Sequence, residues 1–231
     1  MPLAGLRAAL SLCWRVFAAT ASIAFALALG PTPALPAPIK ASSLVGEYDG
    51  QQMEIAAGLE LTANGRFRYA LSYGGLDEEA AGKWTLSGDR VLLVSDPVDP
   101  PRFVLLSQSK GAEGVLRLSL DVPDGMSRQY FNAIILTAKG ETENEQFAED
   151  GLTWPFAPDD PPTSVRIVLP IYEIAGEPLK LDAEVGYSAN FRFEPHDLGK
   201  VDFQNAPLKI ENGELVLERY GRTIRFRRVK P

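Results

Sequence analysis

The chain has one cysteine and one histidine, and these two scarcities exclude more than any motif includes. The single thiol, Cys13, lies in an N-terminal leader, so the remainder of the chain holds no disulfide, no thiolate nucleophile and no cysteine-ligated metal. One imidazole, His196, cannot build a histidine-rich metal centre. No Gly-x-Ser-x-Gly elbow, no calcium loop of alternating aspartates and no nucleotide-binding signature occurs. Basic residues are also scarce, with 23 Lys and Arg against 30 Asp and Glu and a net charge of −7. Nucleic acid, whose phosphates require a basic footprint, is therefore excluded as a partner.

Long apolar runs are missing as well. The longest, residues 16–29, is about 14 residues, short of the roughly 20 that a spanning helix needs, and the proline-rich segment 31–38 follows it directly. With Arg7 and Arg15 ahead of it and small residues Ala34 and Ala37 behind it, this is the pattern of a secretory signal peptide cleaved after Ala37. Cys13 precedes most of the apolar core, which is the wrong order for lipid attachment. Cleavage leaves no transmembrane segment and removes two arginines, so 21 bases face 30 acids. The expected location is the periplasm or outside the cell, where the fold stands without covalent staples.

What is present is alternation. In residues 65–73 Phe67, Tyr69, Leu71 and Tyr73 share one face while Arg66, Arg68, Ala70 and Ser72 share the other, the period of a half-buried strand. Asn64-Gly65 marks a hairpin before it, Gly74-Gly75 ends it, and Asp77, Glu78 and Glu79 read as an acidic loop before a strand through Lys83, Trp84 and Leu86. Pro97, Pro100 and Pro101 forbid a central strand there. Glu141, Glu143, Glu145, Glu149, Asp150, Asp159 and Asp160, with no base among them, read as a solvated surface loop. Near the C-terminus, Asn212-Gly213 is a second hairpin signal, of type I′.

These patterns predict an all-β fold: an antiparallel meander barrel or half-barrel with a second, sandwich-like module. The expected boundaries are a signal peptide over 1–37, a meander over 38–110, a sandwich-like module over 111–184 and a C-terminal meander over 185–231 that closes the first barrel. About six strands from 44–107 and four or five from 187–229 are enough to close. The alternative is two consecutive domains split near Lys110.

Gly46-Glu47-Tyr48 and Gly82-Lys83-Trp84, each opening a strand of the meander, resemble the Gly-x-aromatic and Gly-x-Trp strands of lipocalin-like domains in bacterial envelope proteins, including the copper-resistance lipoproteins of the outer membrane. The chain lacks the lipobox and Cys-x-x-Cys pair of those lipoproteins, so the resemblance implies neither their anchoring nor a metal or redox role. Residues 115–181, with Asp150-Gly151 ahead of the alternating Val165, Ile167 and Leu169, resemble prealbumin-like or carboxypeptidase-regulatory-like sandwiches. That likeness bears on fold alone.

For function, Tyr48, Phe67, Tyr69, Tyr73 and Trp84 converge on one side of the meander if its strands pair in order. Such a stripe either fills a core or lines a cavity, and in the second case these five bind a small apolar ligand. His196, between Glu194 and Asp197, is the other candidate: an oriented general base, or a turn. Arg219, Arg222, Arg225, Arg227 and Arg228 have either an anionic surface or the chain's own acidic segment around Glu145 and Asp150 as partner. The reading is an exported binding protein for a small apolar ligand or an envelope partner, with no catalytic set, metal or cofactor assigned. The alternatives are a hydrolase of envelope glycans or esters using carboxylates with His196, and a non-catalytic accessory subunit pairing strands with an envelope protein.

Overall fold

The computed structural model describes residues 38–230; the signal-peptide reading and Cys13 lie outside the described residues. Five strands come first, β1 (Gly46–Asp49), β2 (Ile55–Leu61), β3 (Arg66–Tyr73), β4 (Leu76–Ser87) and β5 (Arg90–Ser95). Then come β6 (Arg102–Ser109), β7 (Val115–Asp121), β8 (Asn132–Thr137), β9 (Thr142–Gln146), β10 (Leu152–Pro155), β11 (Pro162–Leu169), β12 (Ile174–Ala175), β13 (Leu179–Lys180) and β14 (Ser188–Glu194). The chain ends with β15 (Gln204–Glu211), β16 (Glu214–Arg219) and β17 (Arg222–Arg228). The fold is all-β.

The first five strands and the last three close one antiparallel barrel in the order β1-β17-β16-β15-β5-β4-β3-β2. Two joints make it discontinuous in sequence: β1 pairs β17 through Tyr48↔Arg228, and β5 pairs β15 through Leu92↔Pro207 and Leu93↔Ala206. Closure leaves no edge in this sheet. Its local turns follow the residues. Asn212 and Gly213 both have positive φ, 52° and 85°, as a type I′ hairpin requires. At Asn64-Gly65 only Gly65 does, at 77°, and the Gly65 amide donates to the Thr62 carbonyl, so this loop is one residue longer than a type I′ turn. Gly74-Gly75 alone separates the paired Tyr73 and Leu76. Asp77, Glu78 and Glu79 are therefore strand, not loop, because two glycines suffice to turn the chain.

The middle of the chain packs as two sheets. One has the order β10-β7-β14-β6, with β7 and β14 parallel; the other runs β12-β11-β8-β9, with β13 also on β11. Leu116, Leu118, Leu120, Phe191 and Phe193 of the first face Phe131, Ile135, Val165 and Ile167 of the second in a common core. The Phe103, Phe131 and Phe193 rings lie 5.0–6.0 Å apart within it. Two expectations need correction here. The meander boundaries 38–110 and 185–231 put β6 and β14 in the barrel, yet they pair with each other, from Ser188↔Ser109 to Glu194↔Arg102, in the sandwich. The acidic stretch 141–160 is likewise ordered, supplying β9 and β10, because Phe147 and Leu152 are core residues that draw it onto both sheets.

The sandwich is thus an insertion between β5 and β15, entered through residues 96–101 and left through 195–203. Tyr172 packs against both cores, and Ile171 lies over the Gly74-Gly75 turn, where a Cβ on Gly75 would meet its Cδ1 at 2.7 Å. Gly82 is fixed by closer contact still: a Cβ there would stand 2.0 Å from the Val94 carbonyl oxygen and 2.8 Å from the Phe67 ring.

Candidate functional site

The five aromatic residues divide four to one. Tyr48, Phe67, Tyr69 and Trp84 are buried inside the barrel, and Tyr73 is half-buried at its end. The inward strand positions place them there, and Phe203 from the exit crossing drops between them. Its ring lies 5.2 Å from Tyr69, edge-on, and 6.1 Å from Phe67, while Phe226 stands 6.4 Å from Tyr69. These rings touch one another, at the separations of packed aromatic pairs. Tyr48 donates to the Leu44 carbonyl at 2.6 Å and Trp84 to the Thr62 carbonyl at 3.1 Å. Tyr73 accepts from Arg222 at 2.7 Å and has that guanidinium 4.8 Å over its ring. Among the described residues the buried Tyr69 hydroxyl has no hydrogen-bond partner.

Beside Tyr69 sits a buried ion pair. β4 alternates Leu76, Glu78, Ala80, Gly82 and Trp84 inward, which carries the Glu78 carboxylate into the barrel with 5% of its side chain exposed. Arg219, the last residue of β16, answers it with a two-pronged contact, Nε to Oε2 at 2.8 Å and Nη2 to Oε1 at 2.6 Å. Tyr220 donates to the same carboxylate and sits under the guanidinium at 4.6 Å, with Phe203 at 5.5 Å. Tyr220 takes φ 53° and Gly221 φ 65°, so the turn between β16 and β17 folds the phenol back into the barrel end. Burial lowers the acidity of both phenols: it pushes Tyr69 up, reinforced by the Glu78 charge, and pushes Tyr220 up together with the hydrogen bond to Glu78. Burial alone pulls the Arg219 guanidinium down, but the Glu78 carboxylate outweighs it and the net shift is upward. Core side chains cover the Glu78 end of the pair, while the Arg219 end keeps some contact with solvent at the mouth of the barrel.

The remaining C-terminal arginines pair nearby rather than with Glu145 or Asp150. Arg225 and Arg227 reach Glu211 and Glu214 across the β15–β16–β17 hairpins at 3.0 and 2.8 Å, and Arg222 approaches Glu54 at 3.6 Å. Glu214 on β16 and Glu211 on β15 are held beside Arg225 and Arg227 by the sheet register, whereas 141–160 is tied up in the sandwich.

The open concavity is on the outer wall of the barrel. It is a groove of about 670 Å³ across β1 to β4. Its floor is made by outward positions that carry little or no side chain: Gly58 and Ala70 face each other across β2 and β3, and Ala81 on β4 stands opposite Arg68. Tyr48 and Tyr69 border it as part of the wall, with their side chains buried on the other side. Both crossings supply its flanks, Asp96, Pro97 and Val98 from the entry and Lys200 and Val201 from the exit. The exit crossing is bonded to β4: the Glu79 amide donates to Gly199 and the Val201 amide to Glu79, each at 2.9 Å. The rim carries charges of both signs, Arg68 and Lys200 against Glu47, Glu60 and Glu79. Asp96 is held by Arg66, which pulls its carboxyl below the usual range.

His196 lies on the exit crossing and contacts carboxylates at both ring nitrogens, Asp99 at 2.9 Å and Glu194 at 3.3 Å. Among the described residues no hydroxyl is a hydrogen-bond partner of this imidazole, so the geometry brings together no nucleophile and base. Asp77 and Glu79 point outward on either side of the buried Glu78 and are not brought together as a catalytic pair.

Sequence reasoning read Glu78 as loop and Arg219 as one of a row of C-terminal bases, and it passed over Tyr220 and the groove floor. For Glu78 a signal existed: the period-two run from Leu76 to Trp84 assigns it to the inner face. For the groove none did, because an outward Gly or Ala reads as an ordinary exposed position. No family model, no curated protein and no solved structure matches the chain.

Proposed function

We propose that the chain is an exported binding protein that takes a small, largely apolar ligand in the groove on the outer wall of the barrel. One observation carries the reading: a concavity of about 670 Å³ lies where three adjacent strands all present small outward residues. That volume falls in the range of about 300–1,000 Å³ typical of small-molecule sites, and an apolar floor with a few polar rim groups is the usual lining. Packing of Phe67 and Tyr69 against Phe203, with Tyr48 and Trp84 buried in the same core, favours the outer wall over the interior as the place of binding. Export rests on the leader pattern of residues 16–37.

Native mass spectrometry of protein purified from its host tests this. Wild type is expected to carry a small-molecule adduct that Ala70→Trp, a substitution from the groove floor into solvent, removes without loss of fold. The same adduct on both proteins, or on neither, sinks the proposal.

A second reading, strand pairing with an envelope partner, is favoured by β6. This strand ends its sheet and leaves Leu105 and Leu106 exposed at 42% and 43%, and an apolar sheet edge is a template for another strand. Its signature is a co-purifying partner lost in Leu106→Lys.

A further inference from the structure

The two crossings that flank the groove are tied to each other by a small ionic cluster centred on His196. The residue sits at φ 39°, in the left-handed region that non-glycine residues seldom occupy, so its surroundings hold it there. Its Nδ1 is 2.9 Å from an Asp99 carboxylate oxygen on the entry crossing, and its Nε2 is 3.3 Å from a Glu194 oxygen at the end of β14. Glu194 also accepts from Arg102 Nε at 2.7 Å. Asp197 accepts from the Asp99 amide at 3.0 Å and from Lys200 Nζ at 2.6 Å, and its own amide donates to the Asp99 carbonyl at 3.1 Å. The groups around the ring are therefore the carboxylates Asp99, Glu194 and Asp197 and the cations Arg102 and Lys200.

A neutral imidazole has one N–H. With carboxylate oxygens at both nitrogens, the neutral ring must set a lone pair against one of them, whereas the imidazolium donates to both. Protonation also balances the cluster, three carboxylates against two fixed cations plus the ring. Histidine is the side chain that changes charge between about pH 5 and 8. Asp99 adjoins Val98, and Asp197 is bonded to Lys200; both Val98 and Lys200 line the groove.

We propose that His196 is a proton-operated clasp beside the outer groove: the imidazolium ties Asp99 to Glu194 and so adds to the Asp99–Asp197 and Ser95–Phe203 bonds that hold the two crossings together, and loss of the proton loosens the Asp99 end of that junction. The regulatory half of this rests on the groove being the binding site, while the clasp itself does not. Both bonds exist only while the ring carries its second proton, so ligand is held more tightly at pH 5.5 than at pH 7.5.

Hydrogen exchange of the full chain, read as protection factors to remove the intrinsic pH dependence, tests the clasp. Protection of the Asp99 and Asp197 amides is expected to fall about tenfold from pH 5.5 to 7.5, the scale of one charge-assisted hydrogen bond. It is expected to show no such change in His196→Asn, a residue that tolerates positive φ. Protection that is constant with pH, or that falls equally in the variant, overturns the clasp. Binding of the neutral apolar probe N-phenyl-1-naphthylamine separates the two halves. If Ala70→Trp abolishes probe binding and wild type binds it several-fold tighter at pH 5.5 while His196→Asn does not, the regulation stands. Binding that Ala70→Trp abolishes but pH leaves unchanged overturns the regulation and spares the groove. Binding that Ala70→Trp leaves intact overturns the groove reading, whatever the exchange shows.

Discussion

Replacing Arg219 with Met leaves the Glu78 carboxylate inside the barrel with no cation beside it. Its side chain is 5% exposed, so water cannot take over the two hydrogen bonds that the guanidinium made at 2.8 and 2.6 Å; only the Tyr220 hydroxyl remains. Breaking a buried pair from one side costs about 3–5 kcal/mol. Arg219 itself is 23% exposed, which admits some water to the vacated end and sets the expectation at the low limit, about 3 kcal/mol. For a chain of this size that lowers the melting temperature by about 6–12 °C. Glu78→Leu is expected to cost less, because the stranded guanidinium reaches solvent and keeps the Phe203 and Tyr220 rings beneath it. The double variant Glu78→Leu/Arg219→Met removes both charges and is expected within about 1 kcal/mol of wild type, since an apolar pair of similar volume often matches a buried ion pair. Equilibrium urea unfolding of the four proteins measures all three differences. A cost below about 1 kcal/mol for Arg219→Met, or a double variant no better than that single one, would show that desolvation does not govern this pair.

Two further outcomes are expected. Tyr69→Phe removes a buried hydroxyl that has no partner, so in the same unfolding assay it should be neutral or stabilising by up to about 1 kcal/mol; a loss above that would mean the hydroxyl is bonded. Asp182 accepts from Lys180 and from the Val185 and Glu184 amides, and the Lys180 bond first, then these amides, pull its carboxyl down to about 2. A depressed acid contributes stability above its unfolded pKa and loses it as pH falls through the folded one, so the 182–186 turn should open between about pH 4 and pH 2. Carboxyl carbon shifts of Asp182 followed by NMR would contradict this if their midpoint lay near 4.

The barrel was legible because its cause is local. Phe67, Tyr69 and Leu71 alternate with charged or small residues, and a hairpin turn at Asn212-Gly213 needs only those two residues. Sheet membership was not legible, since neither the apolar run of β6 nor the alternation of β14 says which sheet the strand joins, and only their distant partners, Phe193↔Phe103 and Phe191↔Leu105, decide the matter. Glu78 was misplaced for another reason. Acids beside glycines are usually solvated, and that tendency was weighed above the strand period, although the period holds all the way from Leu76 to Trp84. Arg219 and Tyr220 are invisible from their own neighbourhood because what fixes them, Glu78, is on the far side of the insertion. The groove is a property of four strands laid side by side, so no single stretch carries it.

The insertion also explains how a barrel broken in sequence can close. Bringing β15 to β5 means closing a loop of roughly 110 residues if the intervening chain is unfolded. But β6 and β14 pair antiparallel with Arg102 opposite Glu194, so a folded sandwich already holds its own entry and exit side by side. The loop left to close is then only the two crossings, about 15 residues, and the entropic cost falls by about 2 kcal/mol. The Arg102–Glu194 ion pair at 2.7 Å sits at that joint, and His196 joins it to Asp99 on the other crossing. The elements that make closure easy are therefore the ones that flank the groove. The end of β14 is thereby linked to Val98 and Lys200 through a few bonded residues, Glu194, His196, Asp99 and Asp197, so the sandwich is coupled to the groove's flanks rather than packed as an independent module.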